Sequence, residues 1–174
     1  QGKMDDVRVY NRALSATEIK QLYNLGSQKI NTTSNIVSAS GGLGSGLLGY
    51  WTFDGTDVTD KVYDKSGQGN NGYFWNTATT SGKTIGRSGQ ALKFNGTSNV
   101  VYVGDINAMD AQTRITLSAW IKSSSAGANS GNEAHIVDKS DCGGGAGDGP
   151  FELVQFPGGN TAAFIVYSAG GNAP

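Results

Sequence analysis

Carboxylate and amide side chains crowd the stretch 46–72, GLLGYWTFDGTDVTDKVYDKSGQGNNG. Asp54, Asp64, Asn70 and Asn71 place side-chain oxygens beside turns. Gly67, Gly69 and Gly72 open φ > 0 conformations to the later loop. A loop rich in side-chain and backbone oxygens can hold a hard cation such as Ca2+. The competing reading is structural: Asp54 and Asp64 form turns, and Asn70 and Asn71 occupy left-handed positions. Tyr73, Phe74 and Trp75 follow at once, an aromatic run that either covers a core or offers ring faces to a sugar.

Catalytic chemistry has weaker support. His135 is the single histidine and sits in a strand-like run with no Ser or Cys nucleophile motif beside it. It reads as a strand histidine with its hydrogen bonds satisfied. Cys142, the single cysteine, excludes an internal disulfide and lacks the partners of a zinc site, so it reads as a free thiol in a Gly-rich loop. Glycoside hydrolysis needs two positioned carboxylates, whereas Glu133 and Glu152 stand isolated in the sequence. The expectation is a non-enzyme. The loop 140–149 carries Asp141 and Asp148, which could line a ligand site.

The elements that must position these groups read as short strands. A chain of 174 residues suits one ordinary domain. Its 13 basic and 14 acidic residues form no block of like charge, which argues against phosphate-directed nucleic-acid binding and against a basic membrane patch. No apolar run approaches the roughly 18–20 residues that span a bilayer. Glycine, 27 of 174, is more than twice the usual share of roughly 7%; with recurrent Val, Ile, Tyr, Phe and Trp runs between Gly/Ser/Asn clusters, it indicates an all-β chain with many turns.

Strands are expected at 4–10, 47–53, 90–94, 99–103, 114–122, 134–138, 151–156 and 162–167, with a tight turn at Asn95-Gly96. The run 47–53 reads as half-buried, with Trp51 and Phe53 on one face. Ser15-Ala16-Thr17-Glu18 fits a capping box with Leu14 and Ile19 as a hydrophobic staple, and predicts a helix over 16–24 that stops at Gly26. Ile19, Leu22 and Tyr23 would dock it. Residues 26–46 read as a flexible linker. Gly44, Gly46 and Gly49 match a dinucleotide fingerprint in spacing, but a linker precedes them and a strand follows, the wrong context for phosphate binding. Asn31 and Asn95 head N-glycosylation patterns.

The motifs Tyr50-Trp51-x-Phe53-Asp54 and Asp64-x-Ser66-Gly67-x-Gly69-Asn70-x-Gly72 resemble the opening of a laminin-G-like (concanavalin A-like lectin/glucanase) domain. GRSGQALKFNGTSNVVYVGD and ITLSAWIKSSS resemble its next blocks, and DDVRVYNRALSATEIKQLYN its closing strand and helix. The resemblance implies a concanavalin A-like jelly-roll sandwich in which residues 1–25 close a preceding repeat, 26–46 link, and 47–174 begin the next, cut from a longer protein. A second arrangement puts the strand at 4–10 into the sheet of the following repeat, across a linker reaching roughly 25 Å. The resemblance further implies a structural Ca2+ held by Asp54, Asn70, the Gly72 carbonyl and Asp5 or Asp6. Ligand contacts would come from Tyr73, Trp75, Asp141 and Asp148. The implied function is a non-catalytic carbohydrate-binding or adhesion module of a secreted or cell-surface protein, with a glycan or surface ligand and neighbouring repeats as partners; the alternative is a spacer repeat without a ligand. The two Glu flanking an Asp that mark glycosidases on this fold are missing.

Overall fold

Wherever β-branched and aromatic runs fall between Gly, Ser and Asn clusters, the chain is extended. The computed structural model describes residues 1–27, 42–75, 82–110, 112–123, 134–139, 151–156 and 161–166. These form β1 (Gly2–Tyr10), α1 (Ala16–Ser27), β2 (Leu47–Trp51), β3 (Lys61–Val62), β4 (Gly72–Trp75), β5 (Lys83–Ile85), β6 (Gln90–Phe94), β7 (Val100–Tyr102), β8 (Thr116–Ser123), β9 (Ala134–Lys139), β10 (Phe151–Gln155) and β11 (Ala162–Val166). The described part is thus mostly antiparallel β with one α-helix. The chain divides into two units, one of Gly2–Lys122 and one of Ser123–Pro174 with Gln1.

In the first unit, β2, β1, β6 and β5 lie side by side and β8 also pairs with β1. Strand β1 meets β6 through Gly2, Lys3 and Met4, then β2 through Val7 to Tyr10, so the residues after the linker supply its neighbours. Its segment from Asp5 to Tyr10 is buried throughout, although its alternating sequence suggests one wet face. Asp6 and Arg8 tolerate this because they pair with each other at 3.4 Å. Strand β2 is likewise covered on both sides, unlike the half-buried strand its sequence suggests. A bulge at Leu48 breaks the register, and Leu14, just before α1, and Leu22 of α1 cover the Tyr10–Leu47 face.

A second sheet of this unit is β3-β4-β7. The Asn95-Gly96 turn therefore does not close a hairpin: β6 pairs with β1 and β5, and β7 pairs with β4. The turn carries the chain between sheets, and Asn95 Oδ1 accepts from the N–H groups of Thr97, Ser98 and Asn99. Strands β3 and β5 are too short to leave a periodic signal. In the second unit, β9, β10 and β11 form an antiparallel sheet with β10 central.

The capping box forms as expected: Glu18 N–H donates to Ser15 Oγ at 3.3 Å, and Ser15 N–H to Glu18 Oε2 at 2.9 Å. Arg12 forks onto the same carboxylate, and with these donors holds Glu18 well below its usual range, at about 2. The rest of the helix departs from expectation. Ile19 is 54% exposed and staples nothing, while Leu22 docks. Leu22 and Gly26, one turn apart, face the sheet; Ile19, in the first turn, and Tyr23 lie about 60° and 100° round from Leu22, Tyr23 leaning on Trp120 at 5.6 Å. Gly26 does not stop the helix. Its bare Cα lies under the Trp120 indole, so any Cβ would collide with the ring. Of the expected linker, residues 28–41 lie outside the described residues; Gly26 and Ser27 belong to α1, and Gly42–Gly44 forms a 3-10 turn. Gly49 of the fingerprint is strand, and its missing side chain makes room for Trp51.

Gly26→Ala should therefore destabilise the chain by about 1–3 kcal/mol in chemical denaturation despite alanine's better helix propensity, with Ile19→Ser within about 0.5 kcal/mol of wild type. Tyr10 is fully buried and its hydroxyl has no hydrogen-bond partner among the described residues. Tyr10→Phe should raise stability by about 1 kcal/mol, because it removes an unsatisfied polar group without changing shape.

Candidate functional site

Three of the aspartates come together where β1 changes partners. Asp5 and Asp6 fall between the β6-paired and β2-paired stretches of β1, and Asp54 follows β2. The backbone there is strained: Asp6 has φ 54° and Phe53, next to Asp54, has φ 61°. A left-handed aspartate is tolerable; a left-handed, buried phenylalanine is an outlier that only its surroundings can hold.

The turn between β5 and β6 supplies that hold. Arg87 and Ser88 donate backbone N–H to Asp5 Oδ2 at 2.7 and 2.9 Å, and Gln90 N–H donates to Asp54 Oδ1 at 2.5 Å. Gly86 and Gly89 are obligatory here, since a Cβ on the first would strike Asp5 Oδ2 and on the second Asp54 Oδ1. The Gln90 side chain returns an acceptor to Gly55 N–H at 2.8 Å. Asp6 Oδ1 accepts from the Tyr50 hydroxyl at 2.8 Å and from Arg8, whose guanidinium lies 4.0 Å from the Tyr50 ring centroid.

Each carboxylate therefore uses one oxygen on protein donors. Asp5 Oδ1 is buried without any partner, and the second oxygens of Asp6 and Asp54 take no hydrogen bond among the described residues. Burial, the Asp6 charge and the Asp54 charge together lift Asp5 to about 6, against the pull of the Ser88 and Arg87 N–H groups. Asp54 is also raised, by burial first and then by the Asp6 and Asp57 charges, against the Gln90 N–H. Three crowded carboxylates, of which Asp6 alone pairs with a guanidinium, can accept a hard cation. Their oxygens do not all lie within 4.8 Å of one another, so ligation would require the side chains to close by rotation.

Asn70 and Gly72 belong to a different set of bonds. Asp64 is saturated by Tyr50 N–H, Ser66 N–H, the Ser66 hydroxyl and Asn70 N–H. Asn70 donates its amide to the Leu48 carbonyl at 2.7 Å and accepts from Trp51 Nε1 at 2.9 Å. Asn71 Oδ1 accepts from Asp64 N–H. Gly72 is ladder, paired with Val62, and packed where a Cβ would meet Val101. The Asp64 carboxylate and the Asn71 amide oxygen are thus spent on folding the Gly/Asn loop. The parts of the acidic site that sequence reasoning missed are the turn 86–90 and Tyr50; the paired glycines of GRSGQ were the available signal.

Tyr73 and Trp75 do not cover the core. They lie on the outer face of β3-β4-β7, 54% and 62% exposed, with Tyr102 opposite Tyr73 and 6.4 Å from Trp75 between ring centroids. Lys61 shares this face, next to Tyr63. Val62, Gly72, Phe74 and Val101 point the other way. Asp141, Asp148, Glu133 and Cys142 lie outside the described residues. In the second unit, Glu152 is not isolated: His135 Nδ1 lies 3.0 Å from Glu152 Oε2 and 3.7 Å from Asp138 Oδ2.

No known protein family, curated protein or solved structure matches the chain.

The Asp5 environment sets a pH dependence. A carboxyl whose pKa is raised on folding holds its proton better folded than unfolded, so its contribution is most favourable below about pH 4 and is lost as pH rises through about 6. In chelator, the wild-type chain should lose on the order of 2 kcal/mol over that window relative to Asp5→Asn, as read by urea denaturation at stepped pH. Equal slopes for the two chains would refute the assignment.

Proposed function

We propose that the chain is a non-catalytic carbohydrate-binding module of a secreted or cell-surface protein, built as a laminin-G-like jelly-roll sandwich. The observation that carries this reading is the outer face of β3-β4-β7, where Tyr63, Tyr73, Trp75 and Tyr102 stand exposed beside Lys61. A sheet face with this many wet aromatic rings is costly unless something covers it. Ring faces with a polar neighbour suit the apolar faces and hydroxyl edges of a pyranose. The sandwich reading draws support from β6 and β7, which are consecutive in sequence but belong to different sheets. No helix among the described residues is long and apolar enough to cross a membrane.

The same reading makes Ca2+ a structural cofactor. Asp5, Asp6 and Asp54 would hold it, and its charge would relieve their repulsion and engage the orphan Asp5 oxygen. Asn70 and Gly72 are left out of this ligand set because the Asn70 amide nitrogen and backbone carbonyl are tied to Leu48 and Trp51, and Gly72 is a ladder residue paired with Val62.

Titration of the chain with a panel of oligosaccharides, followed by tryptophan fluorescence, tests the function. Trp75→Ala and Tyr102→Ala should each weaken binding at least about tenfold while leaving stability within about 0.5 kcal/mol. No glycan bound at millimolar concentration would leave the ligand-free spacer repeat, and binding that survives both changes would overturn the aromatic face as the site. Millimolar Ca2+ should raise the Tm of wild type and not of Asp54→Ala.

A further inference from the structure

We propose that His135, Asp138 and Glu152 form a binding site for a divalent transition ion of the Zn2+ class, separate from the aspartate cluster described above. Among the described residues this is the group of three whose ligand atoms all lie within 4.8 Å of one another.

The sequence spacing alone would not bring them together. In a regular strand, residues three apart point to opposite faces, so His135 and Asp138 should diverge. Strand β9 is bulged. Asp138 pairs with Glu152 and Val137 with Leu153, but His135, not Ile136, pairs with Val154. The extra residue, Ile136, flips the alternation and brings His135 onto the face that carries Asp138 and Glu152. Bulges re-aim side chains in this way.

The ladder sets two carboxylates face to face. Asp138 and Glu152 are directly opposed like charges, a destabilising cross-strand pair. Glu152 has a side chain only 7% exposed, so its charge is held in a dry position.

The distances suit a metal. With bonds of 2.0–2.1 Å, neighbouring ligand atoms of a tetrahedral ion lie about 3.3 Å apart; His135 Nδ1 stands 3.0 Å from Glu152 Oε2 and 3.7 Å from Asp138 Oδ2. One nitrogen with two carboxylates favours a borderline ion over Ca2+, which prefers oxygen alone. Exposure rises from Glu152 through Asp138 at 32% to His135 at 49%, which leaves the site open on one side for entry. Three protein ligands also leave a coordination position for water or another group.

The single histidine makes the test direct, because a tag-free, uniformly 15N-labelled chain has one pair of imidazole nitrogen resonances. One equivalent of Zn2+ should move the Nδ1 resonance to the metal-bound range, whereas the same concentration of Ca2+ should not. By calorimetry, Asp138→Asn and Glu152→Gln should each weaken Zn2+ at least about tenfold, and Asp54→Ala should leave it unchanged. An unmoved imidazole, coordination through Nε2, or affinities in both variants within twofold of wild type would overturn the proposal and leave a hydrogen-bonded ion pair. Should Glu152→Gln fail to fold, the wild-type spectrum and the more exposed Asp138→Asn still decide the matter.

Discussion

The capture of two carboxylates by one backbone turn organises the first unit. Asp5 comes from the N-terminal strand and Asp54 from the end of β2, yet both end on the N–H groups of residues 87–90. Charge-assisted hydrogen bonds of this kind are about twice as strong as neutral ones. Here they link three segments that are far apart in sequence. They also fix which residues can occupy the turn, since the carboxylates stand where the side chains of residues 86 and 89 would be. The cost is crowding of like charge, borne mainly by Asp5, with its buried and unpartnered oxygen.

That crowding explains the strained backbone nearby. The left-handed turn at Asp6 lets β1 leave β6 and join β2, and aims the Asp6 carboxylate at Tyr50 and Arg8. The left-handed Phe53 does the same for Asp54 while its own ring stays in the core. Strain of this kind persists only where packing over-determines it, and here both sides of β1 and β2 are covered.

The two candidate ion sites differ in chemistry because their elements differ. The aspartate cluster presents only oxygens, on irregular backbone where strands exchange partners, which suits a hard cation of flexible geometry. The His135 group lies on a regular ladder broken by one bulge and includes nitrogen, which suits a smaller, more directional ion. The aromatic face of β3-β4-β7 carries neither, and its rings are exposed because alternation in β4 and β7 sends Gly72, Phe74 and Val101 inward.

The sequence by itself determined what depends on near neighbours. The capping box of α1, the strands with clear alternation, the all-β class and the Asn95-Gly96 turn follow from contacts within a few residues, and all are present. It also placed Asp54 with Asp5 or Asp6, though only through a resemblance and in one ligand set with Asn70 and Gly72. Tertiary structure decided where polar groups point. Asp64 is as rich in oxygen as any metal ligand, but the nearest donors are N–H and hydroxyl groups of its own turn and the Tyr50 N–H, and those took the bonds. Gly26 looked like a helix stop and is a contact with Trp120, 94 residues on, which no local pattern encodes. His135 and Glu152 looked unrelated because the bulge at Ile136, set by pairing with β10, breaks the period of two on which strand reading depends.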